Sequence, residues 1–333
     1  MTLRILRTSW TAAKFLGHHM PRLRTWGMVG MCLVMMWSVD QPARRAEGSR
    51  VRKPRAWFDA KGLCVFPLSC KQLPSSRDQL LEALTAGWHK SLKFPAADGS
   101  FISIDGSRYP ALSSLKMDLG GAKMDLTKDN KNAKPKGRVE SELTVGSFDL
   151  DGRPMLCDRA KMDLHFTATR ARLDMEHDQA GRPCIMLSDA KQARLDFHTT
   201  RADLERIVLV TLRAQAKNYG VSIDKVEIKL DSDSGRSLSL DLHLLTKVAF
   251  VPAGMRFRAH VDIDNSMNAK LTHLTCEGDE ALGPLIVGFI RPGLAKYEGR
   301  SKPVFSFPTG KLKLRDIQVH SGDEIQVAAT FGS

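Results

Sequence analysis

Between Phe101 and Phe197 apolar residues recur at every second position, and no other feature limits so strongly what this chain can fold into. Phe101-Ile102-Ser103-Ile104 opens the pattern and Leu115-Lys116-Met117-Asp118-Leu119 continues it. A short unit then repeats as Lys116–Leu119, Lys123–Leu126 and Lys161–Leu164, with looser copies at Arg172–Met175 and Arg194–Phe197. A period of two belongs to strands with one buried face. Five aspartates fall at matched places (Asp118, Asp125, Asp163, Asp174, Asp196), which invites a carboxylate array for metal or acid–base chemistry. The order basic–apolar–acidic–apolar has a simpler meaning, a solvated face alternating with a buried one. Opposite charges on neighbouring strands then pair for roughly a few tenths of a kcal/mol each.

Turn signals divide these strands. Asp149–Pro154 and Gln179–Pro183 share a Gly-Arg-Pro, each soon followed by a cysteine and an alternating run, so they predict consecutive hairpins of one meander. Gly120-Gly121 and the stretch 128–137 (KDNKNAKPKG) supply further loops. Three helices interrupt the strands. Ser76-Arg77-Asp78-Gln79 has capping-box spacing and starts an amphipathic helix over 77–92. A second begins at Thr199/Thr200 with Asp203 in its first turn and Gly220 as a stop. Its apolar positions, Leu204, Ile207, Val208, Leu209, Val210 and Leu212, make a stripe wider than a surface helix needs. The third covers about 280–297, with Leu282, Leu285, Ile286, Val287, Phe289 and Ile290, and Pro292 ends or kinks it. Strands are expected at Val221–Leu230, Ser237–Phe250, Met255–Asp264 and Ala269–Cys276, then a closing hairpin over Lys311–Phe331. The class is α+β. Asp231, Asp233 and Gly235 lack the later ligands of a calcium loop and read as a hairpin turn.

Charge sets the N-terminal segment apart. Residues 1–55 hold eleven Lys/Arg against Asp40 and Glu47, a net of +9 out of the chain's +13. The basic stretch precedes an uncharged run, Trp26–Val39, the pattern of a secretory signal. Fourteen helical residues span about 21 Å, short of the roughly 30 Å hydrocarbon core. Met20 offers a more compact start to the same signal. The expected organisation is a signal peptide or membrane anchor at 1–39, a basic linker and lead-in at 40–75, and one strand-rich domain at 76–333. Arg44, Arg45, Arg50, Arg52, Lys53 and Arg55 suit attraction to anionic headgroups. With the basic excess confined there and aromatics at 7% and not interleaved with it, nucleic acid is not an expected partner.

In an exported protein Cys64–Cys70 and Cys157–Cys184 are candidate disulfides, leaving Cys276 over. The alternative is that all five are small buried apolar groups. No Cys/His zinc spacing, serine-hydrolase elbow, His-Glu-x-x-His or phosphate-binding loop occurs. Histidines are scattered; His165 and His198 could meet across hairpins. No cofactor, metal or catalytic residue is expected.

Several segments resemble the LmeA-like phospholipid-binding family: Thr199–Leu204, Val226–Leu230, Val251–Met255, Leu285–Leu294 (LIVGFIRPGL), and Phe307-Pro308-Thr309-Gly310 leading into Leu312–Phe331. The likeness covers about 105–331 and rests on hydrophobic patterning. Two parts depart from it, the cysteine-containing hairpins at 150–197 and the helix at 77–92. The resemblance implies an exported lipid-binding domain, distantly like tubular lipid-binding proteins: curved antiparallel sheets wrapped around one or two long apolar helices, behind an N-terminal signal or anchor helix. On that reading Leu204, Ile207, Val208, Leu212, Leu282, Leu285, Ile286, Phe289 and Ile290 line a cavity for phospholipid or another acyl lipid, and no residue is catalytic. The alternative function is an envelope structural or protein-interaction module that uses exposed sheet edges.

Overall fold

The computed structural model describes residues 58–59, 65–95, 100–124, 138–178, 181–216, 221–248, 250–306 and 311–333. The predicted leader, Cys64, Asp125, the 128–137 loop, Gly220 and the Phe307–Gly310 motif lie outside the described residues. In chain order come β1 (Phe58–Asp59), β2 (Val65–Pro67), α1 (Arg77–Ser91), β3 (Leu92–Lys93), β4 (Ile102–Asp105), β5 (Ala111–Asp118) and β6 (Lys123–Met124). Three long strands follow, β7 (Ser141–Cys157), β8 (Ala160–His177) and β9 (Pro183–Thr200), and β9 runs straight into α2 (Arg201–Ala216). Next are β10 (Val221–Ser234), β11 (Ser237–Val248), β12 (Val251–Ile263), β13 (Asn268–Asp279) and α3 (Gly283–Leu294). The chain closes with β14 (Ser301–Pro303), β15 (Phe305–Ser306), β16 (Lys313–His320) and β17 (Glu324–Gly332).

The α+β class holds, with strands dominant and three helices. One sheet has ten strands, with the main order β16-β17-β9-β8-β7-β5-β4, and the other has five, β10-β11-β12-β13-β14. Most pairings are antiparallel, but β5 and β6 both run parallel to β7 along one edge. The lead-in also contributes to the fold, since β2 pairs with β9 and Phe66 and Leu68 are buried.

Both capping signals are real. Ser76 Oγ accepts from Gln79 N at 3.3 Å, while Gln79 Oε1 accepts from Ser75 N at 2.9 Å. At α2, Thr200 Oγ1 accepts from Asp203 N and donates to Asp203 Oδ2, both at 3.1 Å. One turn signal misleads. Asp149–Pro154 lies inside β7, where a bulge falls between Gly152 and Met155, and the chain reverses instead at Asp158-Arg159. Pro154 has no N–H for the ladder, and the bulge is where a strand tolerates that loss. The second Gly-Arg-Pro does sit in a turn: Asp178 N donates to Arg182 O, and Gly181 has φ +77°.

The alternation works as expected on the five-stranded sheet. Ile228, Leu242, Phe257 and Cys276 form one buried row across β10 to β13, next to Val226, Leu244 and Met255. The opposite face carries Glu227, His243, Arg256 and Glu277, with Asp241 bridging Arg256 and Arg258.

A sheet that does not close must do something with its edges. Helix α2 lies along β10, and its side chains occupy the main chain there. Glu205 Oε1 accepts from Ile228 N at 2.8 Å; Arg213 donates to the carbonyls of Ile223 and Asp224 at 2.7 and 3.0 Å. Across the sheet, β14 pairs with only Asn268–Lys270 of β13. Past it, Glu298 accepts from His273 N and Leu274 N at 3.0 and 2.7 Å, and Arg291 of α3 donates to Cys276 O at 3.3 Å. Each edge is closed by one glutamate taking N–H groups and one arginine giving to carbonyls. Replacing Glu205 with Ala should leave the Ile228 N–H without its acceptor and cost about 1–3 kcal/mol. Urea unfolding measures that loss, and size-exclusion chromatography at rising concentration should show self-association through the uncovered edge.

Candidate functional site

The nine apolar candidates divide between two places. In α2, Leu204, Ile207 and Val208 are fully buried, and Leu212 packs against the same core while partly covered. That helix rests on β10 and reaches β8 and β9, so it joins the two sheets. In α3, Ile286 and Val287 are buried and Leu282 and Ile290 are half-buried against β13 and β12. Leu285 and Phe289 are not in the interior: they are 51% and 61% exposed. The reason is the seating of the helix. A Cβ on Gly278 would come within 2.2 Å of Gly283, so the first turn of α3 lies directly on the strand and leaves the Leu285/Phe289 side uncovered. The two helices thus flank opposite edges of the five-stranded sheet rather than sharing one lining.

A cavity of about 580 Å³ opens on the polar face of β8, β9 and β17. The register makes it: Asp163 faces His198, and His165 faces Asp196. His165 and His198 are therefore diagonal neighbours, but each is held by its own carboxylates. His165 Nε2 is 3.1 Å from Asp149 Oδ1; His198 stands between Asp163 at 3.6 Å and Glu324 at 3.2 Å, the latter out of line for a hydrogen bond. Arg194 is bidentate to Asp196 at 2.7 and 2.8 Å, which raises its guanidinium above the ordinary range. Arg153 likewise grips Asp151 and holds that carboxyl below the usual carboxylate range. Among the described residues no group of His, Cys, Asp and Glu is placed to hold a metal ion. The two arginines are each held by a carboxylate, while His198 Nε2 makes no hydrogen bond among the described residues although it lines the same space.

The aspartate repeat is not uniformly solvated. Asp163 and Asp196 lie on the polar face, but Asp174 is only 2% exposed, because the last turn-ward residues of β8 and the first of β9 are buried on both faces. Its Oδ1 makes no hydrogen bond among the described residues, and Arg172 stands 3.5 Å away. Burial raises the Asp174 carboxyl, against the smaller pull of Ser188 and Arg172. A raised folded value means that its contribution to stability is full below the ordinary value of 3.8 and is lost as pH rises through the folded value. Asp174→Asn should therefore raise the melting temperature at neutral pH, and the gain should shrink toward zero below about pH 4. An equal shift at both pH values would overturn this assignment.

The cysteine pairing needs correction. Cys157 faces Ala160 at one end of β8, and Cys184 faces Glu176 at the other. Sixteen positions at about 3.3 Å per residue keep those sulfurs far beyond disulfide reach. Both are buried, as is Cys276; burial pushes the Cys184 thiol up to about 12 and Cys276 up to about 11. Cys70 is half-buried, its partner candidate lying outside the described residues. Thiol alkylation of the native protein should spare 184 and 276 and modify them only after denaturation, and peptide mapping should find no 157–184 link.

The sequence reading missed the edge-closing role of Glu205 and Arg213, although their eight-residue spacing puts them on one side of α2. No family model, curated protein or solved structure matches this chain.

Proposed function

We propose that this protein is a non-enzymatic lipid binder of the cell envelope, holding a phospholipid or another acyl lipid. The observation that carries the reading is the unequal coverage of α2. Leu204, Ile207 and Val208 already satisfy the core, yet Leu209, Val210 and Leu212 add apolar surface that the sheets cover only in part. Nothing in a purely structural helix calls for apolar residues on so many sides. An acyl chain laid along that surface gains about 0.8 kcal/mol for each methylene it buries. The resemblance to the LmeA-like family supports the same reading, and so does the basic leader with its apolar run, which fits export and proximity to anionic headgroups. In this view the five-stranded sheet curves beside α2 and the finer picture of a sheet wrapped on an apolar helix applies there.

An interaction module working through sheet edges finds part of the five-stranded sheet's edges already used by Glu205/Arg213 and Glu298/Arg291. No described helix is long and apolar enough to cross a membrane. Native mass spectrometry on protein expressed into a membrane-bounded compartment should detect co-purified lipid, and Leu209→Asp combined with Leu212→Asp should reduce it. A lipid-free protein that also fails to extract fluorescent phospholipid from vesicles would end this proposal.

A further inference from the structure

The exposed side of α3 is apolar, and its sequence reads almost the same in both directions. Residues 280–296, EALGPLIVGFIRPGLAK, form a near-palindrome about Gly288: Ala281 mirrors Ala295, Pro284 mirrors Pro292 and Ile286 mirrors Ile290. Leu285 and Phe289 are 51% and 61% exposed, and Pro284, Gly288 and Pro292 are exposed around them. Spacings of three and four residues put all five on one side of the helix. Large apolar side chains grouped in this way gain nothing in water and mark a contact surface.

Symmetry and charge point to what covers it. When two copies of one helix cross antiparallel about a two-fold axis, each residue meets the one equally far from the axis on the other copy. With the axis at Gly288, Ala281 meets Ala295, small against small, and Pro284 meets Pro292. Glu280, exposed before the helix, meets Lys296, exposed after it, so the two ends of the contact carry opposite signs. From Ala281 to Ala295 the one charged residue is Arg291, which donates to Cys276 O at 3.3 Å. The neighbouring carboxylates Asp224 and Asp279 are held by Lys247 and His243 at 2.8 and 3.2 Å. A face with balanced charge offers little to a partner of one sign, but opposite signs at matched distances make it complementary to itself. Gly288 lies where the two helices come nearest. A Cβ there would meet nothing within 4 Å, and the absent side chain lets a second backbone approach closely.

We infer that α3 pairs antiparallel with α3 of a second copy of this chain, about a two-fold axis at Gly288, burying Leu285 and Phe289 of both copies and setting Glu280 against Lys296. The inference stands apart from the lipid-binding reading, because α2 flanks the opposite edge of the five-stranded sheet.

The test uses the full chain with single cysteines added. Sedimentation equilibrium should find a dimer. Under mild oxidation Gly288→Cys should link to its own copy, and Ala281→Cys should link to Ala295→Cys when the two variants are mixed. Ala281→Cys alone should not link at that position, since fourteen residues of helix, about 21 Å, part the two sites in an antiparallel pair. Peptide mapping tells these links from any made by the native cysteines. Glu280→Lys and Lys296→Glu should each lower the dimer fraction several-fold, and the two together should restore it. All these positions are exposed, so the variants keep the fold. A monomer at every concentration, a 281–281 link, links no faster than those of Val139→Cys, or a double charge swap no tighter than either single one would overturn the inference.

Discussion

A sheet that stays open leaves a row of N–H and C=O groups at each edge, and meeting that demand organises the C-terminal half of this protein. The five-stranded sheet meets it twice in the same way. A helix lies along the outer strand, a glutamate takes main-chain N–H groups, and an arginine gives to main-chain carbonyls. Fixing α2 on β10 also fixes which of its sides remains for other contacts. The edge bonds point Glu205 and Arg213 at the strand; Leu204, Ile207 and Val208 enter the core, and Leu209, Val210 and Leu212 are left partly uncovered. On the far edge, the glycine contact between Gly278 and Gly283 seats α3 so closely that its Leu285/Phe289 side is more than half exposed among the described residues. The proposed lipid surface is thus a by-product of edge closure.

The ten-stranded sheet solves a different problem. Its outer face places polar partners in register, so that Arg153/Asp151 and Arg194/Asp196 neutralise one another along strands, while His165 lies beside Asp149 and His198 beside Asp163 across them. Such a face is well solvated, and in the cavity over β8 and β9 both Arg153 and Arg194 are gripped by a carboxylate. The solvated pattern breaks where the sheet is covered twice. There Asp174 is buried beside Arg172, and its raised carboxyl records the loss of water rather than a catalytic task.

Several features were legible in the residues themselves. Period-two alternation located the strands, Ser76 and Thr200 with their partners three residues on located two helix starts, and Gly181 located a turn. These succeed because each depends on neighbours within a few residues. The Asp-Gly at 151–152 failed because a long β8 partner held the strand through that point and turned the punctuation into a bulge. The Cys157–Cys184 pairing failed for a similar reason: a strand of eighteen residues separates the two cysteines, and nothing local records its length.

Local sequence therefore determined that the chain is an α+β protein with long alternating strands, three helices, a basic N-terminal segment and no familiar catalytic motif. Tertiary structure alone decided which apolar residues are core and which face outward, because Ile286 and Phe289 look alike in a hydrophobic pattern and differ only in what lies against them. It also decided that Glu205 and Glu298 serve the backbone of distant strands and that Asp174 loses its water. Burial and edge pairing are made by residues far apart in the chain, and no local pattern carries that information.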